Sequence, residues 1–185
     1  MQFETGLEHK FARFGEGLDV QDGNMIEGYA SIFGSCDQGG DIVQKGAYVR
    51  SLKSLIASGR NVKMLWQHDP SQPIGVWEEV REDGTGLWVK GRLLDSVAKG
   101  REAAELIRAG AIDGLSIGYR TVKATKNDKG QRLLTELELW EVSLVTFPML
   151  PSARVAAKGE EPPDHGDLRE LAAAFEGARQ ELARR

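Results

Sequence analysis

Apolar residues recur at two spacings along this chain, and each spacing predicts a different kind of element. Short apolar-rich segments at residues 25–33, 62–67, 74–81, 87–94, 115–124 and 131–147 read as strands. Two pairs of them flank turn-forming runs, Glu82-Asp83-Gly84-Thr85-Gly86 and Asn127-Asp128-Lys129-Gly130, which predicts two antiparallel hairpins. Helical spacing appears at residues 48–58, through Val49, Leu52, Leu55 and Ile56, and at 99–109, through Ala103, Leu106 and Ile107. A glycine follows each stretch and predicts its end. Residues 36–41 read as a polar, glycine-rich loop. Past Lys158 the pattern changes. Residues 159–166 contain Pro162-Pro163 among acidic residues and predict a linker. Residues 167–185 predict an amphipathic helix with Leu168, Leu171, Ala172, Phe175 and Leu182 on its apolar side. The expected organisation is therefore a domain over 1–158, a linker over 159–166 and a terminal helix over 167–185, with no internal repeat.

Composition narrows the class without naming a function. A chain of 185 residues has room for one domain with extensions and a sizeable core. Its net charge of -4 argues against disorder and against nucleic acid as a partner. Cys36 is the single cysteine, so no internal disulfide is expected, and without CxxC or HExxH no zinc signature exists. The aspartates of residues 37–41 lack the ligand spacing of an EF-hand, so no cofactor is expected. The first residues lack a charged n-region and an apolar h-region, and no apolar run approaches the roughly 18 residues of a membrane span. An intracellular protein, neither exported nor membrane-bound, is the expectation.

Three segments hold the candidate chemistry. His68 lies in Trp66-Gln67-His68-Asp69-Pro70, Ser116 in Gly114-Leu115-Ser116-Ile117-Gly118-Tyr119, and Glu141 in Trp140-Glu141-Val142-Ser143-Leu144-Val145. A serine hydroxyl becomes a nucleophile when an imidazole takes its proton, and an acceptor that fixes the imidazole tautomer completes the set. By themselves the residues leave blander readings open. His68 ends a strand, where histidines are commonly structural; Ser116 is a small residue between glycines that suits close packing; Glu141 is a carboxylate that Arg120 or Arg154 could pair. Gly114 and Gly118 give Ser116 a clearance that Ser143, between Val142 and Leu144, lacks. Glu141 shares strand parity with Leu137, Leu139 and Val145, which predicts a buried face where a carboxylate needs a partner. Residues 114–118 match GxSxG in spacing, but the context is a strand without the helix of a nucleophile elbow, which argues against an ordinary esterase.

The longer blocks carry a resemblance. Gly28-Tyr29-Ala30-Ser31-Ile32-Phe33, Gly40-Asp41-Ile42-Val43 with Gly46-Ala47-Tyr48, and Leu65-Trp66-Gln67-His68-Asp69 with Pro73-Ile74-Gly75 form the first half. The segments around Ser116 and Glu141, with Pro148 and Ala153-Arg154-Val155, form the second. In this order they closely resemble the prohead, or capsid maturation, proteases of tailed phages, HK97 type, over about residues 25–155. The resemblance implies a serine endopeptidase with Ser116 as nucleophile, His68 as base and Glu141 as third member. Related herpesvirus assemblins have histidine in that third place, and Asp41, Asp69 and Glu138 are rivals for it here. His9 and His165, in the N-terminal region and the linker and both expected to be flexible, compete poorly for the base. An amide near Arg154, or its guanidinium acting through water, is the candidate oxyanion donor. Ser116 and His68 are expected to meet at an open cleft. The implied fold is α+β, a closed or nearly closed antiparallel β-barrel with covering helices, assemblin-like. The implied substrate is the scaffold or delta segment of the phage major capsid protein, cut inside the assembling procapsid, together with the chain itself, with 159–166 as the autocleavage region and 167–185 as a targeting helix. Self-association stays open, no nucleic acid or membrane partner is expected, and a non-catalytic capsid assembly or scaffold protein retaining this fold is the alternative.

Overall fold

The computed structural model describes residues 8–12, 19–21, 24–37 and 39–146. The predicted linker 159–166, terminal helix 167–185, Arg154 and His165 lie outside the described residues. Elements follow in the order β1 (Glu8–Ala12), β2 (Asp19–Gln21), β3 (Met25–Ile32), β4 (Asp41–Val43), α1 (Val49–Ala57), β5 (Lys63–Trp66), β6 (Asp69–Glu82), β7 (Gly86–Leu93), α2 (Ala98–Arg108), β8 (Gly114–Lys126) and β9 (Arg132–Val145). Both predicted helices and both predicted hairpins form, β6 with β7 and β8 with β9. Strand β4 falls at the end of the expected polar loop, and β1 lies where flexibility was expected.

Among the described residues, nine strands join one sheet in the order β1-β8-β9-β5-β6-β7-β3-β2, with β4 also on β9. The expected closed antiparallel barrel is corrected to a curled, open half-barrel of mixed strands. Its cause is the path from β4 through α1 to β5. Both strands lie along β9, β4 at Arg132 to Leu134 and β5 at Glu141 to Leu144, and both run parallel to it. A helical crossover returns the chain in the direction it left, so the second strand is parallel to the first. Between them, the connection itself serves the β9 backbone: Leu137 N–H donates to the Ala47 carbonyl (2.9 Å) and Leu139 N–H to the buried Ser51 hydroxyl (2.9 Å). At the other end the path stops at β2, and no pairing joins it to β1 among the described residues.

Glu82 caps the start of α1, its carboxylate accepting the Gly46 and Tyr48 amides, where orphan N–H groups and the helix dipole favour an anion. The Tyr48 phenol beneath is fully buried, and burial pushes its pKa up. Leu115, Ile117, Tyr119, Leu139, Val142 and Leu144, none more than 1% exposed, belong to the apolar core. At about 1.5–3 kcal/mol for each aliphatic side chain fully buried, this face pins the β8–β9 hairpin firmly.

Candidate active site

On the β8–β9 hairpin, register decides which residues share a face. Ser116 stands opposite Ser143, and Gly118 opposite Glu141. The next pair is Tyr119 with Leu139, so Trp140 is an extra residue, a β-bulge. Because cross-strand partners share a face and neighbours alternate, Ser116, Gly118, Glu141 and Ser143 lie together. Leu137 and Leu139 fall on the other face, with Tyr119 and Ile117. The parity expected between Glu141 and those leucines is thus corrected: the bulge moves Glu141 across the sheet. Glycine at position 118 makes the space, since a Cβ there would come 2.0 Å from Glu141 Oε1.

His68 reaches this face through a tight turn. Trp66 pairs with Asp69, leaving Gln67 and His68 as the two corner residues, at φ 51° and 60°. Two positive φ values mark a type I′ hairpin turn, normally the place of Asn-Gly. Left-handed backbone costs a non-glycine residue about 1–2 kcal/mol, and such strain persists where the surroundings over-determine it. Here they do. The Gln67 amide N–H donates to the Leu144 carbonyl (2.9 Å), the Gln67 side-chain amide to the Thr146 hydroxyl (2.6 Å), and His68 N–H to the Ser143 hydroxyl (3.1 Å). β9 therefore clamps the turn along its whole width.

The side chains complete the arrangement. His68 Nδ1 lies 2.6 Å from Glu141 Oε1, and the Ser143 hydroxyl donates to Glu141 Oε2, also at 2.6 Å. A buried carboxylate with both oxygens bonded can hold the proton on Nδ1, which leaves the Nε2 lone pair as the basic site. Trp77 fixes the strand from behind, its indole N–H donating to the Val142 carbonyl (3.2 Å). Rival acids are engaged elsewhere. Asp41 forms a two-pronged pair with Arg132 (2.9 and 2.6 Å), and Glu138 takes Arg120, so Arg120 is not the partner of Glu141. Asp69 accepts from Ser71 and Gln72, and the Ser71 hydroxyl and amide hold its carboxyl below the usual range. His9 sits in β1 opposite Gly118, ordered in a strand contrary to expectation.

Ser116 is completely buried. β1 runs along the β8 edge beside it, with Phe11 in register with Ser116. A groove of about 570 Å³ between α1 and β9, including Arg50, Leu55, Val122 and Trp140, and another of about 730 Å³ beside α2 are lined by none of His68, Ser116 or Glu141. Ser116 has no exposed surface, and neither of these two grooves opens onto it. Among the described residues no cluster of three or more His, Cys, Asp or Glu could hold a metal, and no helix is long and apolar enough to cross a membrane. The suggested oxyanion donor at Arg154 is outside the described residues. The sequence alone did not mark Ser143 or Gln67 as bond partners, nor the close fit of Gly118 against Glu141; glycine at 118, read as clearance for Ser116, gave a signal, and the space also serves the carboxylate.

The profile of a family described as caudovirus prohead serine protease matches residues 16–165. The prohead protease of Enterobacteria phage HK97 is 32% identical over 136 residues, which cover 72% of this chain and 59% of that protein. The chain thus spans little more than half the length of that relative. The structure of the bacteriophage T4 capsid assembly protease has a similar fold, with a TM-score of 0.61 at 19% identity, covering 75% of this chain and 96% of that one.

Proposed function

This chain belongs to the caudovirus prohead serine protease family, and from that premise we propose that it is a serine endopeptidase of capsid maturation, with Ser116, His68 and Glu141 as its catalytic set. The observation that carries the assignment is the 2.6 Å contact of His68 Nδ1 with Glu141 Oε1 on the face that also bears Ser116. Ser116 Oγ attacks the peptide carbonyl while its proton passes to His68 Nε2. The same imidazolium then protonates the leaving amine, and Glu141 stabilises its charge. Water, deprotonated by His68, releases the acyl group and restores the hydroxyl.

The substrate in this reading is the scaffold or delta segment of the phage's major capsid protein, cut within the procapsid, and the chain itself at 159–166. Enclosure with substrate raises effective concentration to the millimolar range or above, so a slow enzyme suffices. Residues 167–185 serve as the segment that brings the domain 1–158 to the shell by its apolar side. The test is co-expression with the cognate capsid protein and mapping of new termini by mass spectrometry. The native chain is expected to generate a discrete shortened capsid protein, and Ser116→Ala and His68→Ala none. Identical capsid protein in all three would overturn the assignment and favour the scaffold reading.

A further inference from the structure

We propose that Ser143 is a positioning residue for the His68–Glu141 pair, an inference that rests on the catalytic reading of that pair. One hydroxyl makes two bonds to the site. It donates to Glu141 Oε2 at 2.6 Å and accepts the His68 backbone N–H at 3.1 Å. It is fully buried, between apolar neighbours Val142 and Leu144 that are themselves fully buried. A serine placed only to fill space would not be expected to make both contacts.

The geometry gives each bond a purpose. The terminal torsion of a glutamate is broad and has no strong preferred setting of its own. With Oε1 on His68, the orientation of the carboxylate also depends on what holds Oε2, and Ser143 bonds that oxygen. The second bond acts on the backbone. His68 occupies left-handed φ at the corner of the turn, and its N–H bond to Ser143 helps keep it there. Ser143 thereby fixes acceptor and base relative to each other, and its register partner across the hairpin is Ser116. A hydroxyl so committed also explains why, of the two facing serines, Ser143 is the support.

Ser143→Ala removes one buried oxygen and adds no bulk. It is expected to lower kcat on the order of tenfold to a hundredfold with KM unchanged, the scale of a slight misplacement of reacting groups. The His68 Nδ1–H proton resonance, observed by NMR on the full chain, is expected to shift or broaden. Ser51→Ala is the control, since Ser51 also bonds β9 through a buried hydroxyl but at Leu139, away from His68. It is expected to lose stability while keeping kcat and the resonance. An unmoved Nδ1–H signal in Ser143→Ala overturns the proposal, as does a loss of kcat that Ser51→Ala reproduces at equal loss of stability. If the native chain cleaves nothing, the catalytic reading fails, and the resonance still decides whether Ser143 holds the pair.

Discussion

Asp41 and Glu141 are both buried carboxylates on one sheet, yet their partners predict opposite responses to the amide substitution. Asp41 neutralises Arg132 and stands near the Tyr119 hydroxyl, a packing role far from His68. Asp41→Asn is expected to lower unfolding free energy in urea by about 1–2 kcal/mol, less than for a fully buried pair because Arg132 is partly solvated, and to leave kcat unchanged. Glu141→Gln is expected to slow cleavage by about four orders of magnitude or less, against about six for Ser116→Ala, with little change in stability. Equal kinetic damage from Asp41→Asn and Glu141→Gln would contradict the division. Gly118→Ala tests the same carboxylate from the other side. Its methyl would lie 2.0 Å from Oε1 and 2.7 Å from Cδ, and a retreat of Glu141 loosens its bonds to His68 Nδ1 and Ser143. Activity on a peptide substrate should fall about a hundredfold, with a stability loss of about 1–3 kcal/mol in urea.

Among the elements, the turn at Gln67 and His68 is the one whose shape and chemistry cannot be separated. Gln67→Val places a β-branched side chain at φ 51° and removes the bond to Thr146. The urea midpoint should drop by an amount corresponding to about 2 kcal/mol, and cleavage should decline with it as His68 loses its placement. Unchanged stability and activity would mean that the turn is not strained. This turn was also the least legible element. Asn127-Asp128-Lys129-Gly130 announces its hairpin because turn chemistry is local, and the spacing of Leu52, Leu55 and Ile56 announces α1 for the same reason. Gln67-His68 carries no turn residue, since its geometry is held by β9, some 75 residues away in sequence. The bulge at Trp140 was equally hidden. Alternation reads Leu137, Leu139 and Glu141 as one face until a single extra residue reverses it. His68, Ser116 and Glu141 themselves stood out through the blocks around them, whereas Ser143 looked like a poor nucleophile and its role as a bond partner is visible only in three dimensions.

At the scale of the molecule, the edge strand β1 on one side and the parallel strands β4 and β5 of the α1 crossover on the other flank the hairpin that bears Ser116. No local signal writes either pairing, so the closed antiparallel barrel implied by the resemblance gives way to a mixed, open sheet. A residue with no exposed surface reacts only when its cover moves, and opening of part of a fold needs less free energy than global unfolding. Labelling of Ser116 by a small serine-directed phosphonate should therefore be slow in buffer and should accelerate in urea well below the concentration at which tryptophan fluorescence reports global unfolding. Mass spectrometry of the labelled peptide identifies the site, and His68→Ala separates the two contributions. In that variant the hydroxyl is exposed as often but is not activated, so labelling should stay slow at every urea concentration below the transition. Rapid labelling without urea would show that Ser116 is reached without opening. Labelling that rises only with global unfolding would show that the cover and the core come apart together, and that the half-barrel opens as one unit.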